Sequence, residues 1–124
     1  MKNVKQCIVN RLIETRRENI QSVIDYMEKH GFFRYHCHRH HRYEGGLADH
    51  AWQTYQIAMQ SESSGLDSDS IAIASLLHDL CDCSGMHDIK GHGRRSAKIL
   101  KQLGFKLTHD EFLAIRFHMS LRNK

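Results

Sequence analysis

The chain has 124 residues, 40% of them hydrophobic, which suits one domain over residues 1–124 with a core of ordinary size. A formal net charge of +4 and a pI near 9.0 are a mild excess spread along the chain, read first as solubility and second as attraction for an anionic substrate. No apolar run reaches membrane-spanning length, no apolar signal segment follows Met1, and Cys7, Cys37, Cys81 and Cys83 match neither a zinc ribbon nor a disulfide framework; a membrane partner is therefore excluded and a reducing cytoplasm is expected.

Proline is absent, which favours long helices. Over residues 2–30, Ile8, Leu12, Ile13, Ile20, Val23, Ile24 and Met27 recur at spacings of three and four, a helical pattern. The polar run Glu14 to Asn19 divides it into two helices, and Gly31 supplies a C-cap. Residues 31–45 read as a loop that packs Phe32, Phe33 and Tyr43 onto the core. The same loop holds Cys37, His38, His40 and His41, a weak metal tract. Its aromatic and basic residues from Arg34 to Arg42 also allow an RNA binder or RNA phosphodiesterase.

A helix is expected over Leu47 to Gln60, with Leu47, His50, Ala51, Tyr55 and Ala58 on one face. By itself, His50 reads as a core histidine satisfied by a hydrogen bond. A polar turn follows, in which Ser68 or Asp69 can N-cap the next helix. That helix contains the apolar run Ile71 to Leu77 and delivers His78 and Asp79 at its end. Two polar groups beside a buried helix need partners. A divalent cation suits imidazole and carboxylate together, and it suits the negative end of a helix.

After an irregular stretch from Cys81 to Gly91, a helix is expected from about His92 to Leu103, stopped by Gly104. Arg94 and Arg95 in its first turn read equally as a solvated face and as phosphate contacts. The last helix opens on Thr108-His109-Asp110-Glu111, a capping box. Together these elements make an all-α bundle of five or six helices, which can bring His50, His78, Asp79, His92 and His118 into one pocket.

Four segments then resemble, in order and spacing, the HD-domain superfamily of metal-dependent phosphohydrolases. They are Tyr43-Glu44-Gly45-Gly46-Leu47-Ala48-Asp49-His50, Ala74-Ser75-Leu76-Leu77-His78-Asp79-Leu80, Gly91-His92-Gly93-x-x-Ser96 and Ala114-Ile115-Arg116-Phe117-His118-Met119. The resemblance runs from about His40 to Met119. It implies an HD-domain-like helical fold holding one or two divalent cations, drawn from Mn, Fe, Co, Ni or Zn. It implies hydrolysis of a nucleotide or another phosphorylated small molecule by water activated at the metal. His50, His78 and Asp79 match family metal ligands, with His78 and Asp79 also central to catalysis. His92 and His118 match the ligands of a second metal, and Arg94, Arg95 and His40 are expected to contact substrate phosphate.

The chain departs from the family pattern at Asp82, where many members carry lysine, and at Met119, where two-metal members often continue a histidine pair. The resemblance also implies a final aspartate downstream of His118. The sequence offers no counterpart, its nearest carboxylates being Asp110 and Glu111, so metal binding with weak or absent turnover is expected. The alternative function is an HD module that binds a metal or nucleotide without catalysis.

Overall fold

Apolar residues at helical spacing drive six helices and no strand among the described residues of the computed structural model, which describes residues 3–35, 43–61, 65–81 and 92–117. They are α1 (Val4–Glu14), α2 (Ile20–Lys29), α3 (Gly46–Gln60), α4 (Ser68–Leu77), α5 (His92–Gln102) and α6 (His109–Phe117). None of them is long and apolar enough to cross a membrane.

The polar run after α1 does divide the first helical stretch. Arg16 (φ +55°) and Asn19 (φ +66°) both adopt the left-handed conformation that interrupts a helix. Asn19 is held there by a 2.7 Å hydrogen bond from its amide to the Gly104 carbonyl, on the connection between α5 and α6. Helix α2 ends in a Schellman motif at Gly31 (φ +77°), with Phe32 N–H donating to the Met27 carbonyl at 2.9 Å and Gly31 N–H to Glu28.

The N-cap of α4 lies one residue before Ser68 and two before Asp69, the two expected positions. Asp67 accepts from the Ser70 N–H at 2.8 Å. Asp69 is engaged elsewhere, since Arg11 of α1 donates to its carboxylate at 3.0 Å, to the Ser68 carbonyl, and to the Tyr55 hydroxyl of α3. Of the loop aromatics expected in the core, Phe32 is fully buried and Phe33 packs against the core from its edge. Tyr43 is half exposed instead, its hydroxyl donating to Asp49 at 2.7 Å on the surface of α3.

Helix α4 is the centre of the molecule. Every residue from Ser70 to Leu77 is buried, as expected of a helix that is apolar all round, and α3, α6 and α1 pack around it. The Thr108–Glu111 capping box forms at the start of α6: Glu111 N–H donates to Thr108 Oγ1, and Thr108 N–H to Glu111 Oε1. The Glu111 side chain is fully buried and also accepts from Arg17 and from the Ser70 hydroxyl, joining α6 to the α1–α2 connection and to α4.

Candidate metal centre

His78 is the C-cap of α4 and Asp79 follows it, so the buried helix itself carries both side chains to the interior edge of the bundle. They are 4% and 6% exposed. His50 arrives from the second turn of α3, which packs on α4. It is only partly buried, which leaves the cluster open on one side.

One oxygen of Asp79, Oδ2, lies 3.0 Å from His78 Nε2 and 3.2 Å from His50 Nε2. The two imidazole rings are 5.6 Å apart, centre to centre. One donor atom from each residue lies within 4.8 Å of the others. On the far side of the His78 ring, Nδ1 is 2.7 Å from the Ser75 carbonyl. A carbonyl only accepts, so that nitrogen bears the proton. In the neutral ring the lone pair is then on Nε2, facing a carboxylate oxygen that also only accepts. Such a contact requires a proton or a cation between the two atoms.

A cation fits this donor set. First-row metals take imidazole nitrogen and carboxylate oxygen at about 2.0–2.2 Å, which sets neighbouring ligand atoms about 3 Å apart. The ring nitrogen facing away from the cluster is fixed by a backbone carbonyl, the usual way a ligand histidine is oriented. The C-terminal end of α4 adds its negative partial charge. His50, His78 and Asp79 are the residues that would hold the ion.

Two further elements converge beside this cluster. Ser96 of α5, fully buried, accepts the Cys81 N–H at 3.0 Å, just beyond Asp79. Gly93 lies so close to α6 that a Cβ there would overlap the backbone of Ile115 and Arg116. The start of α5 and the end of α6 therefore meet next to the end of α4. His92 opens α5 one turn before Ser96, but its side chain lies outside the described residues, as do His118 and His40. Arg94 is exposed and lines a groove against α6, whereas Arg95 is half-buried.

Among the described residues, neither Asp110 nor Glu111 joins the cluster of His50, His78 and Asp79. Asp110 is exposed, and both oxygens of Glu111 are taken by Arg17, Ser70 and the Thr108 amide. Neither Ser96 nor Gly93 has an assigned role on sequence alone. The available signal for both is their place in the segment Gly91-His92-Gly93-x-x-Ser96, which carries part of the family resemblance. The orienting role of Ser75 left no signal, because it is performed by a backbone carbonyl that any residue would supply.

A family model described as HD domain matches residues 47–123. No curated protein matches the chain, and no solved structure does.

Proposed function

The chain belongs to the HD-domain family, and from that membership we propose that it is a metal-dependent phosphohydrolase acting on a nucleotide or another phosphorylated small molecule. The observation that carries the reading is the Asp79 oxygen placed against the Nε2 atoms of His78 and His50, with the His78 tautomer fixed by Ser75. A divalent cation bound there would lower the pKa of a water molecule and screen phosphate charge. The chain's own contribution is orientation. The Ser75 carbonyl holds the His78 ring, and Leu76, Leu77 and Leu80, which flank His78 and Asp79 in the sequence, are fully buried.

His92 and His118 are proposed to complete a second metal position, since the backbone brings the start of α5 and the end of α6 together. Arg95, half-buried beside Ser96, suits a phosphate contact better than Arg94, which faces the α5–α6 groove. His40 is proposed as a further substrate contact.

The test joins metal analysis to turnover. The purified chain should carry at least one transition-metal ion, removable by chelator. It should also hydrolyse a member of a phosphoester panel only when reloaded. Substoichiometric metal after reloading would refute the reading. Full metal content with no turnover across the panel would favour a binding module instead.

A further inference from the structure

Between Asp88 and Asp110 the sequence places six lysines and arginines and no carboxylate. Helix α5 directs three of them, Arg94, Lys98 and Lys101, to one side at i, i+4 and i+7, and Lys106 joins them from the α5–α6 connection. All four are exposed, and all four border one groove of about 920 Å³. Its floor is apolar, formed by Ala97, Phe105, Leu107 and Phe112. Among the described residues lining it, none carries a carboxylate. A merely solvated basic face would be convex. Here the cationic side chains border a hollow.

We infer that this groove docks an acidic amphipathic helix of a partner protein, with apolar side chains on the floor and carboxylates along the cationic rim. The shape of the rim selects an extended ligand. Arg94, Lys98 and Lys101 are separated by about 6 and 4.5 Å of helical rise, so a compact anion would meet only one or two of them. Carboxylates at i and i+3 or i+4 on a docked helix repeat at the same interval. The floor selects apolar side chains over nucleobases. A single-stranded nucleic acid needs open aromatic faces for stacking. Phe105 is 3% exposed, Ala97 and Leu107 have no ring to offer, and of the four floor residues only Phe112 is a partly exposed ring, too little for successive bases to stack on. Leucine-like anchors at i, i+3 or i+4 and i+7 suit such a floor. None of His50, His78 and Asp79 lines this groove.

The experiment selects a display library of helical peptides against the whole chain. It is expected to return sequences with an apolar stripe flanked by aspartate and glutamate. A labelled peptide of that consensus should bind in fluorescence anisotropy, more weakly as salt is raised. Lys98→Glu combined with Lys101→Glu should raise its Kd at least tenfold, and the corresponding double glutamine variant should raise it less. Metal content and the helical circular dichroism spectrum should be unchanged. If charge reversal perturbs that spectrum, the glutamine pair carries the comparison. No acidic amphipathic consensus, or equal binding by the variants, would overturn the inference. Tighter binding of a uridine oligonucleotide of equal charge would also overturn it, and would make the groove a nucleic-acid site.

Discussion

At Asp79 one oxygen serves both ring nitrogens, at 3.0 and 3.2 Å, so losing it removes the shared element of the cluster. Asp79→Ala is therefore expected to lower metal content further than His50→Ala, as read by elemental analysis after reloading. Acidification is expected to weaken metal binding in the wild type, because proton and cation compete for the same imidazole nitrogens. Glu111 makes a separate pH statement. Burial pushes its carboxyl up, but the Arg17 guanidinium, the Ser70 hydroxyl and the Thr108 N–H outweigh burial and hold it below its ordinary value of 4.5. A group depressed in the folded state contributes stability that is present above its unfolded value and lost as pH falls through the folded one. Denaturant midpoints should thus decline on acidification from about pH 4.5 downward. Glu111→Gln should flatten that decline. It should also destabilise the neutral protein by about 3 kcal/mol, the low end for a broken buried pair, since Arg17 keeps 25% exposure.

Among the helices, α5 and α6 meet closely at Gly93, where there is no room for a Cβ against the backbone of Ile115 and Arg116. Gly93→Ala should force the two helices apart and lower stability by about 1–3 kcal/mol or more, measured by urea denaturation. It should also lower metal content if the end of α6 supplies a ligand. All six helices were legible from spacing and punctuation. Gly31 and Gly104 were legible as helix stops because left-handed C′ positions favour glycine, and both have φ near +77°. The N-cap of α4 was not legible to the residue. Asp67, Ser68 and Asp69 can all cap, and the choice among them follows from Arg11, distant in sequence, which takes Asp69. Tyr43 was misread for a related reason. Its apolar ring suited the core, but a partner at Asp49 keeps its hydroxyl at the surface.

In the whole molecule the core and the metal cluster are separable. Ile8, Leu12, Met27, Phe32, Leu47, Ile73 and Leu100 are fully buried, and none depends on a cation. The metal-free chain is therefore expected to stay helical by circular dichroism. Metal should add stability by mass action, about 2.7 kcal/mol at a free concentration of 100 Kd. Thermal unfolding should show Tm rising with metal concentration in the wild type and not in Asp79→Ala.

Sequence alone determined the all-helical architecture, the buried central helix and the placement of His78 and Asp79 at its end. These follow from local periodicity and from the cost of burying polar groups without partners. It also picked out His50, but only through its place in an ordered set of segments; taken alone, its position favoured a core histidine. Only the tertiary structure decided that one Asp79 oxygen faces both rings, that the Ser75 carbonyl fixes the His78 tautomer, and that Glu111 belongs to Arg17 and Ser70. It likewise decided that consecutive Arg94 and Arg95 have different surroundings. The Ser75–His78 contact is local and depends on how α4 ends; the others depend on which groups distant in sequence become neighbours, and that is set by the packing of whole helices on α4.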